Sequence, residues 1–185
     1  MSQVADRPSW DALFNVALTQ DGLFTTQQAA ESGYSRPLLA RYLQSGKVER
    51  VMHGIYRLVH YPCSESEQLT MLWLWSGREG VFSHETALFL FDLSDALPSR
   101  IHLTLPNSWR RRRLRVPEVL RLHHADLPAA DRTWVGAVQV TTPRRTLLDC
   151  NSDHVAPDLV EQAIEQALAR GMVTPKELSA IALHP

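Results

Sequence analysis

Lysine is nearly absent: Lys47 and Lys176 stand alone beside 17 arginines. Cysteine is as scarce, with Cys63 and Cys150 far apart and no CxxC pair. That excludes a disulfide scaffold and a cysteine-rich zinc finger, and two reduced thiols are expected. Long apolar runs are missing too; the longest, around Met71 to Trp75, is far too short to span a membrane. Asp6, Arg7, Asp11 and Asp21 interrupt the first residues, so no secretory leader is expected and a cytoplasmic protein is. Neither charge dominates: 19 basic and 20 acidic residues leave a net charge of −1, which excludes a protein that coats nucleic acid by bulk charge. No P-loop, no Gly-Ser with downstream paired aspartates and no Asp followed by Glu-x-Lys occurs. The expectation is therefore a protein that is not an enzyme, with no cofactor and no metal.

What is present is an ordinary globular composition, 44% hydrophobic and 21% charged over 185 residues. Such a length holds one large domain or two small ones. Charge is unevenly spread. Seven arginines and a single acid, Glu118, lie between Arg100 and Arg121, whereas six acids face Arg170 and Lys176 between Asp149 and Glu177.

The most informative stretch runs from Gly22 to Leu58. Thr25 and Thr26 are good helix N-caps, and Gln27 to Glu31 follow as helix formers. Gly33 supplies a left-handed stop. Ser35 caps a second helix with Pro37 in its first turn, Leu39 and Leu43 share one face beside Tyr42, and Gly46 ends it. Val48 to Val51 and Ile55 to Leu58 alternate as strands around a Met52-His53-Gly54 turn. Ahead of these, Ser9 caps a helix over Trp10 to Leu18 that turns Phe14, Ala17 and Leu18 to the core. This is the order of a winged helix-turn-helix, which presents its second helix to the DNA major groove. The DNA-contacting candidates are Ser35 with its helix N-terminus, Arg36, Arg41, Gln44 and Lys47 on or after that helix, and Arg50, His53 and Arg57 on the hairpin. Arg36, in the first turn, is placed to pair with guanine.

Pro62 ends this part, giving a winged-helix domain over 1–62 and a second domain over 63–185. Ser64 is expected to cap a helix to about Trp75, with Glu67 completing a capping box. Ser83 caps a helix through Phe91. Arg100 to Leu105, Val119 to His123 and Val135 to Thr141 alternate as strands. Helices start at Pro143, Pro157 (to Gly171) and Thr174-Pro175, where Glu177 sits at a capping-box position. Strands grouped between helices predict an α+β fold with a small antiparallel or mixed sheet.

Arg110, Arg111, Arg112, Arg113 and Arg115 form the strongest charge run. It reads as a solvated loop, as a second DNA contact, or as a surface for an acidic partner or its nucleotide. Arg145 and Asp149, four apart, make a helix-stabilising pair that also ties a strand end. Ser83, His84 and Glu85 are adjacent on a helix and point apart, so they form no nucleophilic trio. His123 and His124 face opposite sides of a strand, so they share no metal.

Three segments, YSRPLLARYLQSGKVERVMHGIYRL, VFSHETALFLFDL and TTPRRTLLDC, resemble the AbiEi family in this order. That family is the antitoxin half of type IV toxin–antitoxin systems. Glu85, Thr86 and Asp92 depart from its common pattern. The resemblance implies a repressor that binds double-stranded operator DNA and autoregulates its operon. Two-fold symmetry adds the expectation of inverted repeats, with a homodimer on DNA as one possible state. It further implies a C-terminal domain that counteracts a cognate nucleotidyltransferase-like toxin, with or without a stable complex. Two other readings stay open: a stand-alone winged-helix regulator whose second domain senses a ligand or dimerises, and a DNA-acting enzyme with a winged-helix arm.

Overall fold

Ser9 starts the first helix, α1 (Trp10–Leu18), by accepting the Ala12 amide on its hydroxyl at 3.2 Å. The computed structural model describes residues 7–95 and 97–179, and the fold is α+β. The chain divides into two units, one ending at Arg78 and one starting at Glu79. In the first unit α1 is followed by β1 (Leu23–Thr25), α2 (Thr26–Glu31), α3 (Arg36–Gln44), β2 (Val48–Met52), β3 (Ile55–Leu58) and α4 (Glu67–Trp75). The strands form an antiparallel sheet in the order β1-β3-β2, with Leu23 opposite Arg57 and Val48 opposite Leu58. β1 is only three residues long, too short to announce itself by alternation.

Leu13, Ala17, Phe24, Ala29, Tyr34, Leu39, Val48 and Leu58 build the core of this unit. Leu13 takes the place expected of Phe14 and Leu18, which are 38% and 45% exposed. Leu13 and Ala17 lie four apart and fill the inner face, leaving Phe14 and Leu18 on its flank. A buried amide pair locks α1 to α2. Gln20 Nε2 donates to Gln28 Oε1 at 3.3 Å and to the Leu23 carbonyl at 3.1 Å, and Gln28 Nε2 donates to Gln20 Oε1 at 2.9 Å. Gln28 Oε1 also accepts the Thr25 amide at 2.8 Å, while the Thr25 hydroxyl accepts from Gln28 N, which closes a capping box. Gly33, at φ +86°, then turns the chain towards α3; a Cβ there would sit 2.6 Å from the Arg7 carbonyl oxygen.

The boundary between units falls after Arg78, not after Pro62, because α4 is tied back into the first unit. Glu67 pairs with Arg57 of β3 at 3.2 Å, and Ser66 and Thr70 donate to the Asp21 carboxylate at 3.0 and 2.5 Å. Ser66, rather than Ser64, occupies the N-cap position, and its hydroxyl serves Asp21 instead of the helix.

The second unit runs β4 (Val81–Phe82), α5 (His84–Phe91), β5 (Ile101–Leu105), β6 (Leu120–His124), β7 (Arg132–Val135), β8 (Val138–Thr141), α6 (Pro143–Ser152), α7 (Pro157–Ala169) and α8 (Pro175–Ser179). Its five-stranded mixed sheet has the order β6-β5-β4-β8-β7. β5 is parallel to β6 and antiparallel to β4, and β4 is parallel to β8. The stretch Val135 to Thr141, expected as one strand, is instead the end of a hairpin, because Gly136 adopts φ +56° and turns β7 into β8. Leu88, Leu93, Leu147, Cys150, Val160, Ala163 and Ala167 pack α5, α6 and α7 together. Thr174 and Glu177 close the expected capping box ahead of α8.

Replacing Gln28 by leucine leaves Gln20 and the Thr25 amide without their partners in a buried setting. Urea unfolding should show a loss of about 1–3 kcal/mol. Gly33→Ala meets both left-handed backbone and a carbonyl, and should cost about 1–3 kcal/mol. Unchanged midpoints would show that neither feature holds the unit together.

Candidate nucleic-acid interface and histidine pocket

The second helix of the winged unit, α3, is capped as its sequence demands. Ser35 Oγ accepts the Leu38 amide at 3.4 Å, and Pro37 sits in the first turn. Leu39 anchors the inner face, which leaves Arg36, Ala40 and Gln44 outward. Arg36 lines one concavity with Arg50, His53 and Tyr56 of the hairpin. That hollow, of about 360 Å³, lies between helix and wing. At the wing tip Arg50 Nη2 donates to His53 Nδ1 at 2.7 Å and Arg50 Nε donates to the Met52 carbonyl at 3.3 Å. Arg50 can only donate, so Nδ1 of the exposed His53 ring accepts.

Not every expected contact joins this face. Arg41 is exposed but lies about 140° round the helix from Arg36 at 3.6 residues per turn. Lys47 sits 5.1 Å from the centre of the Tyr42 ring, towards α1 and its exposed Phe14. Arg57 is committed elsewhere: it pairs with Glu49 and Glu67, and its Nη1 donates to Cys63 Sγ at 3.0 Å. Arg57 thus stitches β3 to β2 and α4. Its acidic partners were invisible to a reading of the hairpin as a basic wing.

Residues 11–59 match the family model described as transcriptional regulator, AbiEi antitoxin. The matched segment covers α1 except its first residue, both further helices and the wing, all within the first unit. No curated protein matches the chain. Among solved structures, the RV2827C protein from Mycobacterium tuberculosis has a similar fold. The TM-score is 0.55 at 18% identity, over 98% of this chain and 75% of that one. No described helix is long and apolar enough to cross a membrane.

Outside the AbiEi match, the second unit gathers polar side chains from the other two motif segments. Arg145 donates from Nε to Asp149 at 2.8 Å and from Nη1 to Asp131 at 3.1 Å, so the expected helix pair does tie the start of β7. Burial raises the proton affinity of Asp149, opposed by Arg145. Beside this pair, His84, Thr104, His123, Asp149 and Asp153 line a polar cavity of about 360 Å³.

His84 opens α5 with φ +52°, a left-handed conformation that a non-glycine residue seldom adopts. Ser83 precedes it in extended backbone but makes no cap bond. Its hydroxyl lies 2.7 Å from Thr104 Oγ1 and 2.9 Å from His84 Nδ1. The His84 ring stacks on that of His123 at 3.7 Å, and His102 approaches both, with centroids 5.6 and 5.1 Å away. Burial, with repulsion from His123 and His102, pushes the His84 imidazole down to about 3; burial and His123 push His102 down to about 4. Both rings are therefore neutral at pH 7. His124, on the opposite face of β6, stays outside the trio, as strand alternation requires.

The five arginines of the run lie in the crossover between parallel β5 and β6, and all are exposed. Arg112 lies 4.1 Å over the ring of buried Trp109, whose indole donates to Glu79 at 3.1 Å. Arg110 reaches the rim of the histidine cavity. The trio itself escapes a segment-by-segment reading, because its members come from α5, β5 and β6. The only sequence signal is three histidines at element starts and inward strand positions.

The two cysteines differ sharply in access. Cys63 is exposed, whereas Cys150 is buried in α6 and burial pushes its thiol up. A thiol titration of the native protein should show one fast group, lost in Cys63→Ser, with the second reacting only on unfolding. Two fast thiols would mean that the α5–α6–α7 core is not closed.

Proposed function

We propose that this protein is a sequence-specific DNA-binding transcriptional repressor acting as the antitoxin of a type IV toxin–antitoxin system. The observation that carries the reading is the AbiEi family match over a winged helix whose α3 and wing present Arg36, Arg50 and His53 to one hollow. In it, α3 enters the major groove of an operator half-site. Arg36 in its first turn pairs with a base edge, and the wing lies along the phosphates. Ser35 and Gln44 flank this contact, while Arg41 and Lys47 lie off this face and reach the backbone. The exposed run from Arg110 to Arg115 extends the footprint. Two copies on inverted repeats supply the affinity that one mildly basic reader lacks. The second unit counteracts a nucleotidyltransferase-like toxin. A regulator without a toxin, whose second unit senses a ligand, is favoured only by the polar cavity beside Asp149.

Gel shifts with the chain's own promoter test the DNA side. Arg36→Ala should weaken binding by about 1–3 kcal/mol and relax specificity at one base pair. Arg50→Ala should weaken all sequences alike and flatten the salt dependence by about one contact. Replacing the five arginines of the run by alanine should flatten it further; an unchanged slope removes the run from the interface. No retardation by the wild-type protein at low salt sinks the reading. Co-expression with the product of the neighbouring gene tests the antitoxin side: growth arrest by that product alone, relieved by this chain, is the expected outcome.

A further inference from the structure

We propose that the second unit binds a zinc-class divalent metal ion between His84, His102 and His123, with Glu85 and Asp153 orienting two of the rings from behind. The proposal is independent of the DNA reading, since it rests on side chains of another unit.

One ring nitrogen from each of the three histidines lies within 4.8 Å of the others, and all three rings are buried or nearly so. Their hydrogen bonding is one proton short with neutral rings and ionised carboxylates. Glu85 Oε2 lies 3.2 Å from His102 Nε2, and Asp153 Oδ2 lies 3.4 Å from His123 Nδ1. Each carboxylate can only accept, so each asks for an N–H from the ring before it. A neutral imidazole has one N–H. With both protons turned outward, the remaining nitrogens, His102 Nδ1 and His123 Nε2, face each other as lone pairs 3.3 Å apart. Turning one proton inward joins the two rings but aims the lone pair on the other side at a carboxylate. Three contacts in a row thus need three protons, and two neutral rings supply two. A divalent ion accepts both inward lone pairs and removes the conflict.

The spacing of His102 and His123 suits such an ion, whereas His84, stacked on His123 at 3.7 Å, must turn its ring off that stack to join them. Two imidazole nitrogens at roughly 2.0–2.1 Å from a tetrahedral zinc stand about 3.3–3.4 Å from each other. The arrangement behind the rings also matches what metal-bound histidines need. A carboxylate or hydroxyl on the far nitrogen fixes the tautomer and raises ligand basicity. Glu85 does this for His102 and Asp153 for His123; on His84, Ser83 Oγ lies 2.9 Å from Nδ1, and Asp153 Oδ2 lies 3.6 Å from Nε2, the nitrogen left to the ion. The left-handed backbone of His84 holds its ring in the cluster at a conformational cost, and such strain persists where a site is preorganised. His84 and His123 also line the polar cavity, so a fourth coordination position opens onto it. Three imidazoles with an open position hold a water or an exogenous anion rather than a closed structural ion. An all-nitrogen set selects zinc or its neighbours over magnesium and calcium, which prefer oxygen.

The test loads the full-length chain, stripped by chelator, with Zn²⁺ alone. Competition against a chromophoric chelator should show about one tight site per chain, and Co²⁺ in its place should give the visible bands of a tetrahedral nitrogen site. Thermal unfolding should shift upward with Zn²⁺. His123→Asn and His102→Asn should abolish the tight site, while Glu85→Gln, which keeps all three ligands, should weaken it by about 10–100-fold. His124→Gln, one residue away and outside the trio, should bind like wild type. Circular dichroism without metal separates lost ligands from lost fold. If a ligand variant fails to fold, the Glu85→Gln and His124→Gln pair decides. Absence of a tight site in the folded wild-type chain, or equal affinity in Glu85→Gln and His124→Gln, overturns the proposal.

Discussion

The presentation of α3 depends on the buried amide pair between Gln20 and Gln28. Two side-chain amides satisfy each other, the Leu23 carbonyl and the Thr25 amide in a place where water does not reach. Because an unpaired buried amide is expensive, α1, β1 and α2 have one geometry in which all these groups are met. Gly33 then sets the turn into α3, and Arg57 fixes the wing by its bonds to Glu49 and Glu67. Arg36 and the wing tip thereby meet at one hollow, the arrangement that the proposed base contact requires.

In the second unit the corresponding constraint is polar again, and it sits at the junction of β4 and α5. Ser83 could have capped the helix. It turns instead to Thr104 and to His84, and His84 takes a left-handed backbone to join His102 and His123. The arrangement gives up a cap and adopts a strained φ, both local costs, in exchange for a cluster that spans three elements. Structures that violate local preference in this way do so at functional sites more often than elsewhere. The nearby Arg145, Asp149 and Asp131 network holds α6 against the sheet and completes the cavity wall.

Much of the first unit was legible because its signals are local. Ser9, Thr25 and Ser35 each cap the helix they precede, and Gly46 ends α3 in the left-handed conformation its position demands. The wing strands fell where alternation put them. What escaped were features decided by distant residues. β1 and β4 are too short for a periodic pattern and exist because a neighbouring strand pairs with them. Leu13 displaced Phe14 and Leu18 from the core although all three are apolar. Arg57 sits on a wing strand, but Glu67, ten residues on, claims its guanidinium.

Sequence alone therefore determined the helices, the wing strands, the α+β class and the arginine run, since caps, turns and periodicity act within a few residues along the chain. Tertiary structure decided which apolar face is inner, where the first unit ends, which arginines remain unpaired, and that His84, His102 and His123 meet. Those outcomes depend on burial and on partners far away in sequence, and no local pattern carries the distance between them.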